Sequence, residues 1–185
     1  MSHAEWRFFQ SKKISRNIEL KRLLFEDISV SRNEGVNMSF IQLLYHVVIR
    51  TKASEPTLSL AYSDKLYRYI SGIINNKKCF LYQVNGMEDH VHILFCLHPT
   101  ISLSEFMRDL KIETSKMLKH TSGFENFKAW GKGYAALTYS LRDKNILINY
   151  ILKQREHHQK HSFKDEYALL MKEMGLEFNE RDWNM

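Results

Sequence analysis

Two histidines separated by one residue, His90 and His92, stand at the start of an apolar run. Side chains alternate between the faces of a β-strand, so this spacing places both imidazoles on one face and Val91 on the other. Two neutral imidazoles so placed can chelate one divalent cation. The apolar residues 94–97 predict a central, covered strand, where an unpartnered histidine pair is costly. In the alternative interpretation, one histidine faces the surface and the other faces the core.

A second pair, Tyr150 and Gln154, has the spacing of neighbours on one helical face. Leu147 and Ile151 extend the same stripe, which predicts that the stripe faces the protein body. A glutamine amide there needs a hydrogen-bond partner or a metal, and its carbonyl oxygen can serve as a third ligand beside two histidines. Alternatively, Tyr150 is a core residue whose hydroxyl has a partner. Three histidines follow within residues 157–161, and we expect them to be solvated rather than to contact phosphate.

The elements that must position these residues follow from the patterning after residue 38. Strands are predicted over 40–50, 78–84, 90–97 and 133–139, with a tight turn at Asn85-Gly86. Helices are predicted after a cap at Ser63, after the capping box of Ser102 and Glu105, over 144–161 and over a shorter tail at 167–174. The order β-α-β-β-α-β-α is that of a ferredoxin-like fold. We therefore predict an α+β protein with a four-stranded antiparallel sheet and an added C-terminal helix that carries Tyr150.

Composition limits the class of protein. Hydrophobic residues make up 44% of the 185-residue chain and aromatic residues 12%, which suits a packed core. No apolar run approaches the roughly 18 residues of a membrane span, and the first residues lack the pattern of a signal peptide. Cys79 and Cys96 lie in apolar runs, which predicts buried free thiols and a cytoplasmic location. None of the Gly-rich loops that bind nucleotide phosphates is present, so we expect no nucleotide cofactor.

Charge is distributed unevenly along the chain, whose net charge is +6. Residues 1–37 carry 7 basic and 5 acidic side chains, residues 38–162 carry 17 and 10, and residues 163–185 carry 3 and 6. The chain is therefore predicted to consist of an N-terminal segment (1–37), a main domain (38–162) and an acidic C-terminal helical tail (163–185). The N-terminal segment is either an extension upstream of a natural start at Met38 or an arm that packs on the body. A basic body suits a polyanionic ligand, although a merely solvated basic face has the same composition.

A resemblance to a known family rests on five segments in a fixed order. They are LLYHVVIRTK (43–52), NGMEDHVHILF (85–95), SLSEFMRDLK (102–111), WGKGYAALTYS (130–140) and INYILKQREHH (148–158). From about Ser39 to Tyr167, the chain resembles the insertion-sequence-200-like HUH single-tyrosine transposases, to which the REP-associated tyrosine transposases are related.

The resemblance implies that His90, His92 and Gln154 bind Mg²⁺ or Mn²⁺ and that Tyr150 is the nucleophile. It implies nicking and rejoining of single-stranded DNA through a 5′-phosphotyrosine link and a free 3′-hydroxyl. A tyrosine hydroxyl with a pKa of about 10 is a poor nucleophile, so a cation that polarises the scissile phosphate is consistent with this assignment. The positions one turn from Tyr150 hold Ile146 and Gln154 rather than a second tyrosine, which predicts a one-tyrosine site.

The predicted DNA surface consists of basic and hydroxyl side chains between these motifs. The candidates are Arg50, Lys52, Arg108, Lys111, Ser115, Lys119, Lys128, Lys132, Lys153 and Arg155. Trp130 and Tyr134 either stack on unpaired bases or belong to the core.

The expected partner is single-stranded DNA in hairpin-containing element ends. We also expect a homodimer, because a small sheet with a long C-terminal helix leaves apolar surface to cover. Whether Tyr150 acts in cis or in trans stays open. Two other functions are considered: a domesticated REP-associated enzyme that processes chromosomal hairpins, and a non-catalytic ferredoxin-like nucleic-acid-binding module. The intact set of four predicted site residues favours an enzyme over the module.

Overall fold

The computed structural model describes residues 41–173, 175–177 and 183 of the chain. The interpretation of residues 1–37 therefore falls outside the described residues. The strands are β1 (Leu44–Arg50), β2 (Phe80–Gly86), β3 (His90–Cys96) and β4 (Ala135–Thr138). The described α-helices are α1 (Ser63–Asn76), α2 (Leu103–Lys119), α3 (Lys144–Leu152), α4 (Gln154–His157) and α5 (Phe163–Glu173). None of the helices in these ranges has the length and apolar character needed to cross a membrane.

The four strands form one antiparallel sheet in the order β2-β3-β1-β4. The predicted α+β fold with a four-stranded antiparallel sheet is therefore confirmed. The strand β3 is central, as predicted, and it pairs with β1 and β2. The register of this central pair places Val48 opposite His92 and Arg50 opposite His90. Because directly opposed residues share a face, the pairing fixes which β1 side chains surround the two histidines.

The two faces of the sheet have different characters. Val47 and Ile93 on one face join a large apolar core with Leu66 of α1 and Phe106 of α2. On the other face, smaller apolar clusters pack around Val48 and Leu94 beneath α3 and α5. Alternation along the central strands thus separates an apolar core from a face that also buries polar side chains.

The ends of two helices test the capping predictions. The Ser102 side chain accepts a hydrogen bond from the Glu105 amide, as predicted for the start of α2. Ser63 does not cap α1: it is the first helical residue, and its hydroxyl donates to the Leu60 carbonyl. The preceding 3₁₀ turn, Leu60–Tyr62, runs directly into α1, so the helix begins without a side-chain cap.

The tight turn predicted at Asn85-Gly86 is wrong. Both residues belong to β2, opposite His92 and Val91, and the connection to β3 runs over residues 87–89. A Cβ atom at Gly86 would lie 2.2 Å from the His90 carbonyl oxygen. Glycine is therefore required for close approach of the two strands rather than for a turn.

The helix predicted over 144–161 is interrupted at Lys153, which separates α3 from α4. The Asn85 amide donates hydrogen bonds to the carbonyls of Ile151 and Leu152, at 2.9 and 3.1 Å. Asn85 of the edge strand β2 thus satisfies two carbonyl groups at the end of α3. In the interior of a helix, such carbonyl groups accept hydrogen bonds from backbone amides further along the helix.

Gly86→Ala should unfold the protein more easily, because its methyl group meets backbone rather than a flexible side chain. We expect a loss of about 1–3 kcal/mol in the free energy of unfolding, measured by urea denaturation. Gly72→Ala is the matched control, because nothing lies within 4 Å of the added Cβ in α1. That variant should gain about 0.5–1 kcal/mol. Equal stability of the two variants would contradict the close-approach role of Gly86.

Candidate active site

His90 and His92 lie side by side on β3, and both are fully buried. Their rings meet edge to face with centroids 5.0 Å apart. The two imidazoles therefore lie on the same face of β3, as predicted. The alternative of one surface and one core histidine does not hold.

Each histidine is oriented by a neighbour that contacts its Nδ1 atom. Asp89 Oδ1 lies 2.7 Å from His90 Nδ1, and His46 Nε2 lies 2.9 Å from His92 Nδ1. A proton held on Nδ1 by such partners leaves the Nε2 lone pair available to a cation. Burial lowers the pKa of His46 to about 4 and lowers the pKa of His92 well below its ordinary value. Burial thus favours the neutral form of both rings, the form in which imidazole binds metals.

Tyr150 of α3 and Gln154 of α4 lie beside these two histidines. Gln154 is fully buried, and Tyr150 is half-buried with its ring edge-on to His92 at a centroid distance of 5.9 Å. The interruption at Lys153 does not separate them, because the backbone hydrogen bond from Lys153 to Asn149 keeps the chain turning. The structure thus brings together all four residues singled out in the sequence.

Sequence reasoning missed a fifth side chain at this point, Glu166 of α5. Its Oε1 atom accepts hydrogen bonds from the Tyr150 hydroxyl and from Gln154 Nε2, the latter at 3.0 Å. Oε1 also lies 3.5 Å from His92 Nε2, and Oε2 lies 3.9 Å from His90 Nε2. The carboxylate is 4% exposed, so the contacts are shielded from water.

Helix α5 holds this carboxylate in place through apolar contacts on both sides of it. The Phe163 ring stacks on His90 with centroids 3.8 Å apart and planes 8° from parallel. Leu170 packs with Val48 and other apolar residues on the same face of the sheet. Residues 163, 166 and 170 recur at helical spacing, which was the available signal that Glu166 faces inward.

His158 also belongs to this site, although we expected it to be solvated. Its Nε2 atom lies 2.8 Å from Glu166 Oε2, and its side chain is 6% exposed. Burial lowers the pKa of His158, but the Glu166 carboxylate outweighs this, so that the pKa is raised overall.

Electrostatics favour an ionised carboxylate and a protonated phenol. Burial raises the pKa of Glu166, but the surrounding His92 and His158 lower it more, so the pKa falls well below its ordinary value. Burial and the Glu166 charge together hold the pKa of Tyr150 well above its ordinary value. In this arrangement the Tyr150 hydroxyl is a hydrogen-bond donor.

Several polar atoms at this point are buried without a hydrogen-bond partner among the described residues. They include Nε2 of His90 and of His92, Oε1 of Gln154 and Oε2 of Glu166. The lone pairs of His90 Nε2, His92 Nε2 and Gln154 Oε1, which have no donor among the described residues, are a chemical fit for a divalent cation. One nitrogen from each histidine and one oxygen of Glu166 lie within 4.8 Å of one another.

The predicted DNA-binding residues differ in their exposure and in their contacts. The exposed ones are Lys52, Arg108, Lys119, Lys128, Lys132, Lys153 and Arg155, whereas Ser115 is half-buried. Arg108 lies 3.1 Å from Asp109, and Lys128 lies 2.8 Å from Glu55.

Lys111 and Arg50 donate hydrogen bonds to backbone carbonyls, and Arg155 donates to the Ser63 hydroxyl at 2.9 Å. Lys111 donates to the carbonyls of Gly131 and Gly133, at 2.7 and 3.0 Å. Arg50 donates to the Trp183 carbonyl, and its guanidinium lies 4.8 Å from the centroid of the Trp183 ring.

Trp130 belongs to the core, because it is 7% exposed and its indole donates to Thr114 at 2.9 Å. Tyr134 is 36% exposed and stays a candidate for stacking on bases.

Comparison with known proteins addresses the family directly. The family model described as "Transposase IS200 like" matches residues 39–154. No curated protein sequence matches the chain.

Two solved structures are similar to the chain. A candidate transposase from Deinococcus radiodurans R1 is 23% identical, over 66% of this chain and 98% of that chain, with a TM-score of 0.48. A REP-associated tyrosine transposase bound to a REP hairpin is 12% identical, over 68% of this chain and 74% of that chain, with a TM-score of 0.50. At this identity the second likeness supports the fold alone.

The matched family segment runs from the residues before β1 to the first residue of α4. It contains His90, His92, Tyr150 and Gln154, and it covers more than half of the chain. The chain therefore belongs to the IS200-like transposase family of DNA-processing enzymes.

Proposed function

We propose that this transposase cleaves and rejoins single-stranded DNA through a covalent link to Tyr150, beside a divalent cation held by His90, His92 and Gln154. The observation that carries the proposal is the convergence of these four side chains, from β3, α3 and α4, on one buried point. A non-catalytic binding module has no need of such a cluster, because burying unpaired polar atoms destabilises a fold.

Mg²⁺ or Mn²⁺ at this site would polarise the scissile phosphate and offset the negative charge that develops on it. The two histidines present their Nε2 atoms because Asp89 and His46 contact the opposite ring nitrogens. Gln154 offers its Oε1 atom, while its Nε2 atom is occupied by the bond to Glu166. The neutral amide is the weakest of the three ligands, so its main task is to complete the geometry.

Tyr150 supplies the nucleophilic oxygen. As this oxygen bonds to the scissile phosphorus, the bond from phosphorus to the 3′ oxygen breaks. The phenolic proton is transferred, in net, to the departing 3′ oxygen. The products are a 5′-phosphotyrosine and a free 3′-hydroxyl, and attack by a 3′-hydroxyl reverses the step without ATP. Before attack, the Tyr150 hydroxyl must leave its hydrogen bond to Glu166.

We propose DNA hairpins at element ends as the substrate. A structural relative is described as bound to a REP hairpin. The exposed basic residues of this chain, among them Lys52, Lys132 and Lys153, offer sites for phosphate contacts.

We also propose a homodimer. Four large apolar residues among those described, Ile41, Phe80, Leu152 and Leu176, are more than half exposed, at 52%, 61%, 53% and 51%. Light scattering at tens of micromolar protein should give twice the 22.1 kDa mass of the chain. A monomer at this concentration would contradict the dimer and would leave the chemistry of the site untouched.

Tyr150→Phe should abolish the covalent protein–DNA adduct while single-stranded DNA binding stays at the wild-type level. The substitution removes the nucleophilic oxygen and keeps the ring that packs against His46 and His92. The measurement is incubation with Mn²⁺ and an oligonucleotide from the flanks of the gene, followed by a denaturing gel. Tyr139→Phe is the matched control, since Tyr139 is a half-buried tyrosine whose ring centroid lies 6.2 Å from that of His46. An adduct formed by Tyr150→Phe at the wild-type rate would assign the nucleophile to another residue.

Asp89→Ala should weaken Mn²⁺ binding about 10- to 100-fold, because His90 loses the partner that fixes its tautomer and orientation. Isothermal titration calorimetry measures this directly. Glu88→Ala is the matched control, because it removes an adjacent exposed carboxylate from the same connection. If the two variants lose affinity equally, the effect is one of net charge and the orienting role of Asp89 is wrong.

A further inference from the structure

Glu166 lies outside the part of the chain that the family match covers. The matched segment ends at residue 154, whereas Glu166 belongs to α5, which begins at Phe163. The carboxylate nevertheless contacts Tyr150 and Gln154 and lies near both histidines of β3. The family match assigns it no role.

The distances around Glu166 lie within the range expected for ligands that share a cation. Ligand atoms about 2.1 Å from one ion are about 3.0 Å apart at a right angle and about 4.2 Å apart across the ion. Oε1 is 3.5 Å from His92 Nε2, and Oε2 is 3.9 Å from His90 Nε2. Neither contact is a hydrogen bond, since both imidazole nitrogens lack a hydrogen-bond partner.

Apolar contacts of α5 fix the position of the Glu166 carboxylate. Phe163 is 5% exposed and Leu170 is 7% exposed, and they anchor α5 on either side of Glu166. An ionised carboxylate buried this deeply costs free energy unless a positive charge compensates it. Among the described residues, Oε2 makes no hydrogen bond. His158 Nε2 lies 2.8 Å from it and offsets its charge when protonated, and a cation at His90 and His92 would offset it as well.

On this geometry we propose that Glu166 is a fourth protein ligand of the cation, supplied by the C-terminal helix. The proposal rests on the proposed function, because it requires a cation at His90 and His92. His90, His92, Gln154 and Glu166 would hold the cation, which would still be able to polarise an oxygen of the DNA phosphate. Because Tyr150 also donates to Glu166, one carboxylate connects the cation with the nucleophile.

A consequence of the proposal is that cation binding and the docking of α5 stabilise each other. If the carboxylate is a ligand, the cation holds α5 to the sheet, and by reciprocity a docked α5 tightens the cation. If Glu166 instead competed with the cation for its position, cation binding would loosen α5 from the sheet. A docked α5 would then weaken cation binding. The two roles are therefore separable by experiment.

Glu166→Gln tests the ligand directly. The amide has the size of the carboxylate and can still accept hydrogen bonds from Tyr150 and Gln154, but it lacks the charge. Removing an outer-shell partner weakens binding about 10- to 100-fold, so replacing a charged direct ligand with a neutral amide, which is a weaker ligand, should weaken Mn²⁺ binding at least about 10-fold by calorimetry. Glu173→Gln removes an exposed carboxylate from the same helix and should leave the affinity within about twofold of wild type. Unchanged or tighter Mn²⁺ binding by Glu166→Gln would overturn the proposal.

Leu170→Ala gives a second test that leaves the carboxylate in place. It loosens the apolar anchor of α5, so Mn²⁺ binding should weaken if Glu166 is a ligand and tighten if Glu166 competes. Hydrogen exchange of the amides of α5 supplies the reciprocal readout in the wild-type chain. Mn²⁺ should slow this exchange, and faster exchange in Mn²⁺ would overturn the proposal.

His92→Ala keeps this inference distinct from the proposed function. If wild type binds Mn²⁺, His92→Ala does not, and Glu166→Gln binds as wild type does, only the fourth ligand is wrong. If wild type itself does not bind Mn²⁺, the cation site and the fourth ligand both fail.

Discussion

The burial of lone pairs on one face of the sheet is the constraint on which the structure depends. Each buried polar atom without a partner costs about 1–3 kcal/mol, and several of them converge where β3, α4 and α5 meet. A typical domain is stable by only about 5–15 kcal/mol. The opposite face supplies the compensation, because Val47, Ile93 and Phe95 join a large apolar core there. A cation bound only by the native state would further stabilise the fold by mass action.

Rigid elements, rather than loops, position the reacting groups. The two histidines lie on a central strand that is hydrogen-bonded on both sides, and close approach at Gly86 locks the edge strand against it. The same edge strand contacts the end of α3 through Asn85. This contact lies where the helix that carries Tyr150 ends and the helix that carries Gln154 begins. One hairpin therefore determines the placement of both halves of the site. Such support is what holds reacting groups in a fixed geometry.

The fold and four of the site residues were predictable because they depend on local periodicity. Alternation on a strand and the spacing of a helical turn place His90 beside His92, and Tyr150 beside Gln154, whatever surrounds them. The interruption at Lys153 and the role of Gly86 depend on contacts between distant segments, where turn-forming and close-packing glycines look alike in sequence. Glu166 was missed because an acidic tail predicts solvation on composition alone. Its inward face is visible only when residues 163, 166 and 170 are considered together.

The DNA-binding candidates differ in which face of the sheet they lie on relative to His90 and His92. Arg50 is directly opposite His90 on the face that carries the site, and it already contacts Trp183. Arg108 and Lys119 lie on α2, whose core residues pack against the opposite face of the sheet. Between α2 and the face that carries the site lie the lateral edges of the sheet, which β4 and β2 form. Lys132 lies just before β4, and Lys153 follows the helix end that Asn85 of β2 contacts. Because both lysines are exposed, they are the candidates for phosphate contacts with DNA that passes a lateral edge.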